Sequence, residues 1–133
     1  MSVKIYAEYI GDDMVELTHQ PTGSKIKTDL PIDNGGKGRT FSPTDLVACA
    51  LASCILTIMA KIAVREKIDL AGALIEIEKI MSTNSPRRIS KLKGVIKLPN
   101  IPHAKKEKLM TAINSCPVKH SLHPDIEIEF VEK

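Results

Sequence analysis

The sequence predicts a single α+β domain over residues 1–133, with mainly antiparallel β-sheets around a long buried central helix, in the order βββ-α-ββ-α-β. Three observations predict it. Residues 42–67, SPTDLVACALASCILTIMAKIAVREK, form a proline-led apolar run that starts and ends as a helix does. Short alternating segments, bounded by turn residues, lie on both sides of that run. A second helical stretch then separates the last strand from the others. With 43% apolar and 26% charged residues, the composition is that of an ordinary globular protein, and 133 residues suffice to bury a core.

Residues 3–30 read as a β-meander. Residues 3–10 alternate loosely, Gly11-Asp12-Asp13 turns the chain, residues 14–19 form a second strand, and a turn with Pro21 and Gly23 leads into residues 25–30. Residues 31–41, PIDNGGKGRTF, are expected to be a flexible connector. Their GGKGRT lacks the spacing of a phosphate-binding loop, and that reading is rejected. The helix that follows has Ser42 as its N-cap, Pro43 in the first turn and Asp45 in a capping-box position. Residues 46–60 are apolar except for Ser53 and Thr57. A helix apolar nearly all round is expected to be buried, placing Cys54 deep in the protein. The run is judged too short and too interrupted for a membrane span.

After the helix, residues 73–81 place Ile75, Ile77 and Met81 on one face and Glu76 and Glu78 on the other. Residues 89–98 set Leu92, Ile96 and Leu98 against Lys91, Lys93 and Lys97. As a hairpin with Ile77 opposite Leu92, Glu76 would face Lys93 and Glu78 would face Lys91. The basic run at residues 87–97 is then a solvated sheet face, and no nucleic-acid partner is expected from it. Residues 102–116 read as a second helix broken by Pro117, with a short turn of helix through Leu122. Residues 125–131 are a last strand with Ile126, Ile128 and Phe130 inward.

The chemistry lies in the cysteines. Cys49 and Cys54 point ~140° apart on one helix and are separated by a rise of ~7.5 Å, so they cannot pair without unwinding it. Cys49 is read as a core residue. Cys116 stands at a helix break, where free backbone N–H groups favour a thiolate. His120 and His123 lack the further ligands that a metal site needs, and no metal is expected. A hydrolase using Cys54 and His120 has no supporting signature. The N-terminal MSVKIYAEYI has no leader pattern, and a cytoplasmic location is the expectation.

The segment SPTDLVACALASCILTIM, followed some sixty residues later by SCPVKHSL, resembles the OsmC/Ohr family of osmotically inducible protein C and the organic hydroperoxide resistance proteins. The predicted element order also resembles that of the family, and the departures given below place the chain nearer its broader OsmC-like branch. The resemblance implies an intertwined homodimer and a cysteine-based peroxidase acting in oxidative-stress defence. Cys54 would attack a hydroperoxide substrate to form a sulfenic acid, Cys116 would resolve it as a disulfide, and an external thiol or dithiol would be the reductant. No cofactor is implied. An aliphatic pocket of Leu51, Ile55 and Ile58 would favour organic hydroperoxides. Two features depart from the family's pattern. No arginine precedes Arg39, and Thr44 stands where a glutamate follows the helix-start proline. Arg39 is therefore the candidate activating cation, with Asp45 as its anchor. The alternative reading is an OsmC-like redox-sensing or apolar-ligand-binding dimer without efficient turnover.

Overall fold

The structure is a computed structural model that describes residues 1–133. It contains two compact units, Met1–Leu46 and Val47–Lys133, which are taken in turn.

In the first unit, β1 (Ile5–Gly11), β2 (Met14–His19) and β3 (Lys25–Asp29) form an antiparallel meander in the order β1-β2-β3. The turn between β1 and β2 holds Asp12 at φ 54° and Asp13 at φ 68°, the paired left-handed residues of a hairpin turn that follows the twist of its strands. Residues 31–41 are more ordered than a free connector. They make a short 3-10 turn at Ile32–Asn34 and fold back on β3: Gly38 N–H donates to Leu30 O at 3.0 Å, and Asp29 N–H to Phe41 O at 3.0 Å. Gly36 permits this path, because a Cβ there would stand 2.1 Å from the Leu30 carbonyl oxygen. The sequence pattern showed the glycines but not the backbone they approach.

The central helix, α1 (Pro43–Arg65), begins as its sequence demands. Asp45 N–H donates to Ser42 Oγ at 3.1 Å and Ser42 N–H to Asp45 Oδ2 at 2.9 Å, a reciprocal capping box built with Asp in place of Glu. By length and composition α1 is long and apolar enough to cross a membrane, which the sequence reading did not allow for. Only one stripe of it is buried, however: Ala48, Leu51, Ile55, Met59, Ile62 and Ala63, at helical spacing. The expectation of a helix buried all round is corrected accordingly. Ala50, Ser53, Thr57, Ala60 and Val64 are exposed in the single chain, and Cys54 at the stripe's edge is half-buried rather than deep.

In the second unit that stripe packs with β4 (Leu74–Met81), β5 (Ile89–Lys97), β6 (Glu127–Glu132), α2 (His103–Met110) and α3 (Pro117–Ser121). Leu51, Ile55, Met59, Leu92, Ile96, Leu109, Ala112 and Cys116 are all fully buried in one core cluster. Burying each large aliphatic side chain contributes ~1.5–3 kcal/mol, which is what holds an otherwise apolar, poorly polarised helix in place. The second helical stretch is interrupted: α2 ends at Met110, a 3-10 turn follows at Thr111–Ile113, and α3 restarts at Pro117.

The sheet order is β4-β5-β6, with β4 and β5 antiparallel and β5 and β6 parallel. The expected hairpin forms, but two residues out of the expected register. Ile77 faces Gly94, Lys79 faces Leu92, Glu78 faces Lys93 and Glu76 faces Val95. A shift of two preserves which face is apolar, so the alternation could not distinguish the two registers. What decides the packing is Gly94, which faces Phe130 of β6 and whose added Cβ would fall 2.3 Å from the Phe130 ring. The Gly94→Ala variant is expected to lose about 1–3 kcal/mol through overpacking, read as a lower urea midpoint at unchanged slope.

The basic strand is charge-paired, but by a different neighbour from the one expected. Lys91 binds Glu129 at 2.8 Å and Glu127 at 3.3 Å, both on β6. The Glu129 carboxylate, with Glu127, raises the Lys91 pKa. Across the β4–β5 hairpin, Glu78 stands directly opposite Lys93 in the register.

Candidate active site

Two cysteines far apart in sequence meet in the second unit. Cys54 is carried by α1, one residue before the buried Ile55, so its side chain leaves the helix at the core's edge. Thr57 Oγ1 donates to the Cys54 carbonyl at 2.9 Å. Cys116 is the N-cap of α3, and its Sγ accepts the Lys119 N–H at 3.4 Å. Pro117 fits the first position of that helix because its missing N–H would have had no partner. The two thiols are near enough for Cys54 to bear on the ionisation of Cys116, and neither is in a disulfide. Cys49 is the third free cysteine, half-buried on α1.

Their surroundings differ. Cys116 has no exposed surface. Burial pushes its thiol pKa up, and the hydrogen bond to Cys54 and the charge of a Cys54 thiolate push the same way. The Lys119 and Val118 N–H groups pull it down but do not prevail. The expectation that the helix break would favour a Cys116 thiolate is therefore corrected: desolvation outweighs a single turn of N–H donors. A buried thiol held protonated beside a more accessible one can donate a hydrogen bond to it and can later displace a leaving group from it. With iodoacetamide at neutral pH, Cys116 is expected to be the last of the three thiols to alkylate in the native protein; mass mapping of the labelled peptides checks this.

In the first unit, Arg39 is held by two carboxylates. Its Nε donates to Asp29 Oδ2 at 2.8 Å and its Nη2 to Asp29 Oδ1 at 3.1 Å. Its Nη1 donates to Asp12 Oδ2 at 2.7 Å, and Nη2 also to the Asp12 carbonyl at 2.6 Å. Asp29 is buried and also accepts the Arg39 and Leu30 N–H groups. The Arg39 side chain holds its carboxyl well below the usual carboxylate range. Asp45, the expected anchor, closes the capping box with Ser42 instead. A carboxylate with a depressed folded pKa contributes stability that is present in full above its unfolded pKa of ~3.9 and is lost as the pH falls toward the folded value. Asp29→Asn is thus expected to lower stability at neutral pH and to flatten the loss of stability below about pH 4, measured by denaturation at stepped pH. Nothing in the sequence pointed to Asp29, because it is one carboxylate among many until the loop folds back on it.

The remaining candidates separate from the cysteines. Leu51 and Ile55 are fully buried in the core, so the expected aliphatic pocket of Leu51, Ile55 and Ile58 does not exist as such. Ile58 alone lines a cavity, of about 600 Å³, between α1 and the segment from α2 to Ser115. His120 is exposed, with Nε2 on the Asn114 carbonyl at 2.8 Å, and His123 Nδ1 accepts the Asp125 N–H at 3.0 Å. No three His, Cys, Asp or Glu side chains converge as a metal-holding group.

Residues 36–131 match the model of the OsmC-like protein family. The chain belongs to the OsmC-like family. Both cysteines and the capping box lie inside the matched residues. The fold agrees along the whole chain with that of a protein from Psychrobacter arcticus 273-4, named as a candidate osmotic stress induced and detoxification response protein. That protein is 36% identical, the match covers 100% of this chain and 96% of the other, and the TM-score is 0.90. An organic hydroperoxide resistance protein OsmC from Legionella pneumophila is 17% identical, with 100% and 97% covered and a TM-score of 0.78. The organic hydroperoxide resistance protein OhrB of Bacillus subtilis is also 17% identical, with 100% and 98% covered and a TM-score of 0.73. At that identity the last two establish the fold alone. No curated protein matches the sequence significantly.

Proposed function

We propose that this OsmC-like chain is a thiol-dependent hydroperoxide reductase, acting in the cytoplasm as a homodimer. The observation that carries the proposal is the nearness of the half-buried Cys54 to the fully buried Cys116, whose thiol is pushed up first by burial and then by Cys54. The Cys54 thiolate attacks the outer oxygen of ROOH. The O–O bond breaks, a proton reaches the departing alkoxide, ROH leaves, and Cys54 becomes a sulfenic acid. Cys116 then attacks the Cys54 sulfur, water leaves with the Cys116 proton, and a disulfide remains. An external dithiol takes its place as the disulfide and restores both thiols. Each step uses groups on this chain, the peroxide and the reductant, with no resident cofactor. The test is peroxide consumption with dihydrolipoamide or dithiothreitol as reductant, for cumene hydroperoxide beside hydrogen peroxide. Catalytic turnover with preference for the organic peroxide supports the proposal, and stoichiometric or absent consumption refutes it.

What supports a dimer is apolar surface that a single chain leaves in water. Ile5, Tyr6, Tyr9 and Ile26 on the three-stranded sheet and Val64 on α1 are all exposed. Sedimentation at micromolar concentration is expected to give twice the chain mass; a monomer would contradict this part of the proposal.

A second reading, the redox-sensing or ligand-binding dimer without turnover, is favoured by one observation. Arg39, the candidate activating cation, already serves Asp12 and Asp29. Arg39→Gln separates the roles. A slower Cys54 oxidation at unchanged thermal stability would make Arg39 the activating group, whereas lower stability at an unchanged oxidation rate would make it a clasp for the loop.

A further inference from the structure

Cys116 is the one buried residue in an exposed bend. Asn114, Ser115 and Pro117 lie at the surface, while Cys116 between them has no exposed surface. Its neighbours in sequence give it no cover, so the path of the backbone is what turns it inward. That path is tied from both sides. Toward the preceding 3-10 turn, Asn114 N–H donates to Thr111 O at 3.1 Å, Ser115 N–H to Ala112 O at 3.3 Å and Ser115 Oγ to Thr111 O at 3.2 Å. From the other side α3 reaches back. Lys119 N–H meets the Cys116 sulfur at 3.4 Å, and His120 N–H donates to Cys116 O at 3.2 Å. Two side chains of α3 then hold Asn114: His120 Nε2 donates to its carbonyl at 2.8 Å, and Lys119 Nζ to its Oδ1 at 3.3 Å.

These last two bonds are unequal. The Lys119 contact is long, exposed, and made to a side chain that is free to turn. The His120 contact is short and grips the main chain itself. A carbonyl oxygen only accepts, so Nε2 carries the hydrogen. Nε2 therefore cannot also take a proton from a thiol, and the ring acts through Asn114. The bond closes a loop from Asn114 to His120 with Cys116 inside it.

To join another sulfur at ~2.05 Å, the Cys116 sulfur must leave the Lys119 N–H. The His120 side-chain bond does not involve that sulfur and can hold while the cysteine side chain turns. We propose that His120 is a positioning residue for Cys116, keeping the backbone pivot still as the thiol swings to Cys54. Without this clasp the dithiol gains freedom that the disulfide takes away, and pairing becomes less favourable and slower. In the resolving step an S–S bond forms, the Cys54 S–O bond breaks, and the hydroxyl leaves as water with the Cys116 proton. That consequence rests on the peroxidase reading above; the effect on the dithiol–disulfide equilibrium does not.

Two measurements on His120→Ala and His120→Gln keep the two apart. The glutamine amide N–H can take the place of Nε2, so this variant should rescue. The first measurement is the equilibrium with a glutathione buffer, in which the two thiols reduce one oxidised glutathione to two glutathiones and become the Cys54–Cys116 disulfide. Peptide mapping reads the ratio. The equilibrium constant is expected to fall about three- to tenfold in His120→Ala, the weight of one hydrogen bond, and to stay within about twofold of the wild type in His120→Gln. Equal constants in wild type and His120→Ala, a glutamine variant as weak as the alanine one, or no such disulfide in the wild type overturns the proposal. The second is a single turnover with cumene hydroperoxide. Cys54 oxidation should proceed within about twofold of the wild-type rate in both variants, with disulfide closure slowed about three- to tenfold in His120→Ala alone. Slowing of both steps to the same degree marks a damaged fold and overturns the positioning role. No Cys54 oxidation in any of the three proteins refutes the peroxidase reading, and the glutathione equilibrium then decides the role of His120 by itself.

Discussion

Cys54→Ser is expected to abolish catalytic hydroperoxide consumption, lowering it by about three orders of magnitude or more, because the nucleophile itself is removed. A serine hydroxyl in the same half-buried place has neither the acidity nor the polarisability to cleave an O–O bond. Cys116→Ser should behave differently. Its Cys54 can still react once, so one equivalent of peroxide is consumed rapidly, and the sulfenic acid then persists or is over-oxidised. Cys49→Ser should leave turnover within about twofold of the wild type, since its side chain diverges from Cys54 by ~140° on the same helix. The pattern of three distinct outcomes is more informative than any one loss. It is read by following peroxide under excess dithiol, with a sulfenic-acid trap in the Cys116→Ser sample. Equal loss in all three variants would indicate damage to the fold rather than chemistry.

The largest effect on stability is expected at Leu51. It has no exposed surface and lies in the stripe of α1 that forms the core with Leu92, Ile96 and Leu109. Leu51→Ala removes buried methyl groups and leaves a cavity that close-packed neighbours refill only in part, at a cost of about 2–5 kcal/mol. The exposed Ser53, two residues away, is the control. Ser53→Ala should change stability by less than about 0.5 kcal/mol in the isolated chain. A larger effect there that depends on protein concentration would place this face of α1 in a subunit contact. Urea unfolding at two protein concentrations distinguishes the cases.

Much of the fold was legible because its signals were local. The capping box at Ser42 and Asp45, the break at Pro117 and the alternation of Ile75 and Ile77 with Glu76 and Glu78 each depend on neighbours a few residues away. The observed elements follow those signals, except that the second helix, expected to run to Cys116, ends at Met110 and gives way to a 3-10 turn before Pro117. What could not be read was set by partners distant in sequence. The hairpin register could not be read because both candidate registers put the same residues inward, and the cover of Gly94 by Phe130 comes from a strand distant in sequence. The parallel pairing of β6 with β5 gives Lys91 its glutamates from β6, where the sequence pattern offered Glu78.

The burial of α1 was misjudged for a related reason. An apolar residue signals that it is covered by something, and a single chain supplies cover for one stripe only. The site was legible in part. Cys54 and Cys116 were singled out by the proline-led helix and the Cys-Pro-Val segment, and the structure brings these two thiols together. Their unequal burial, on which the proposed roles of attacker and resolver rest, has no sequence signature. Neither do Asp29 and Asp12 around Arg39, since a charged residue on a loop looks the same whether its partner is water or a carboxylate.

One experiment reaches furthest: treat the reduced protein with a single equivalent of cumene hydroperoxide, block free thiols, digest without reductant and map the peptides by mass. We expect a Cys54–Cys116 cross-link in near-stoichiometric yield with Cys49 carrying the blocking group. A peptide map with all three thiols blocked, or a cross-link that includes Cys49 and leaves Cys116 free, would contradict thiol peroxidase chemistry at this pair.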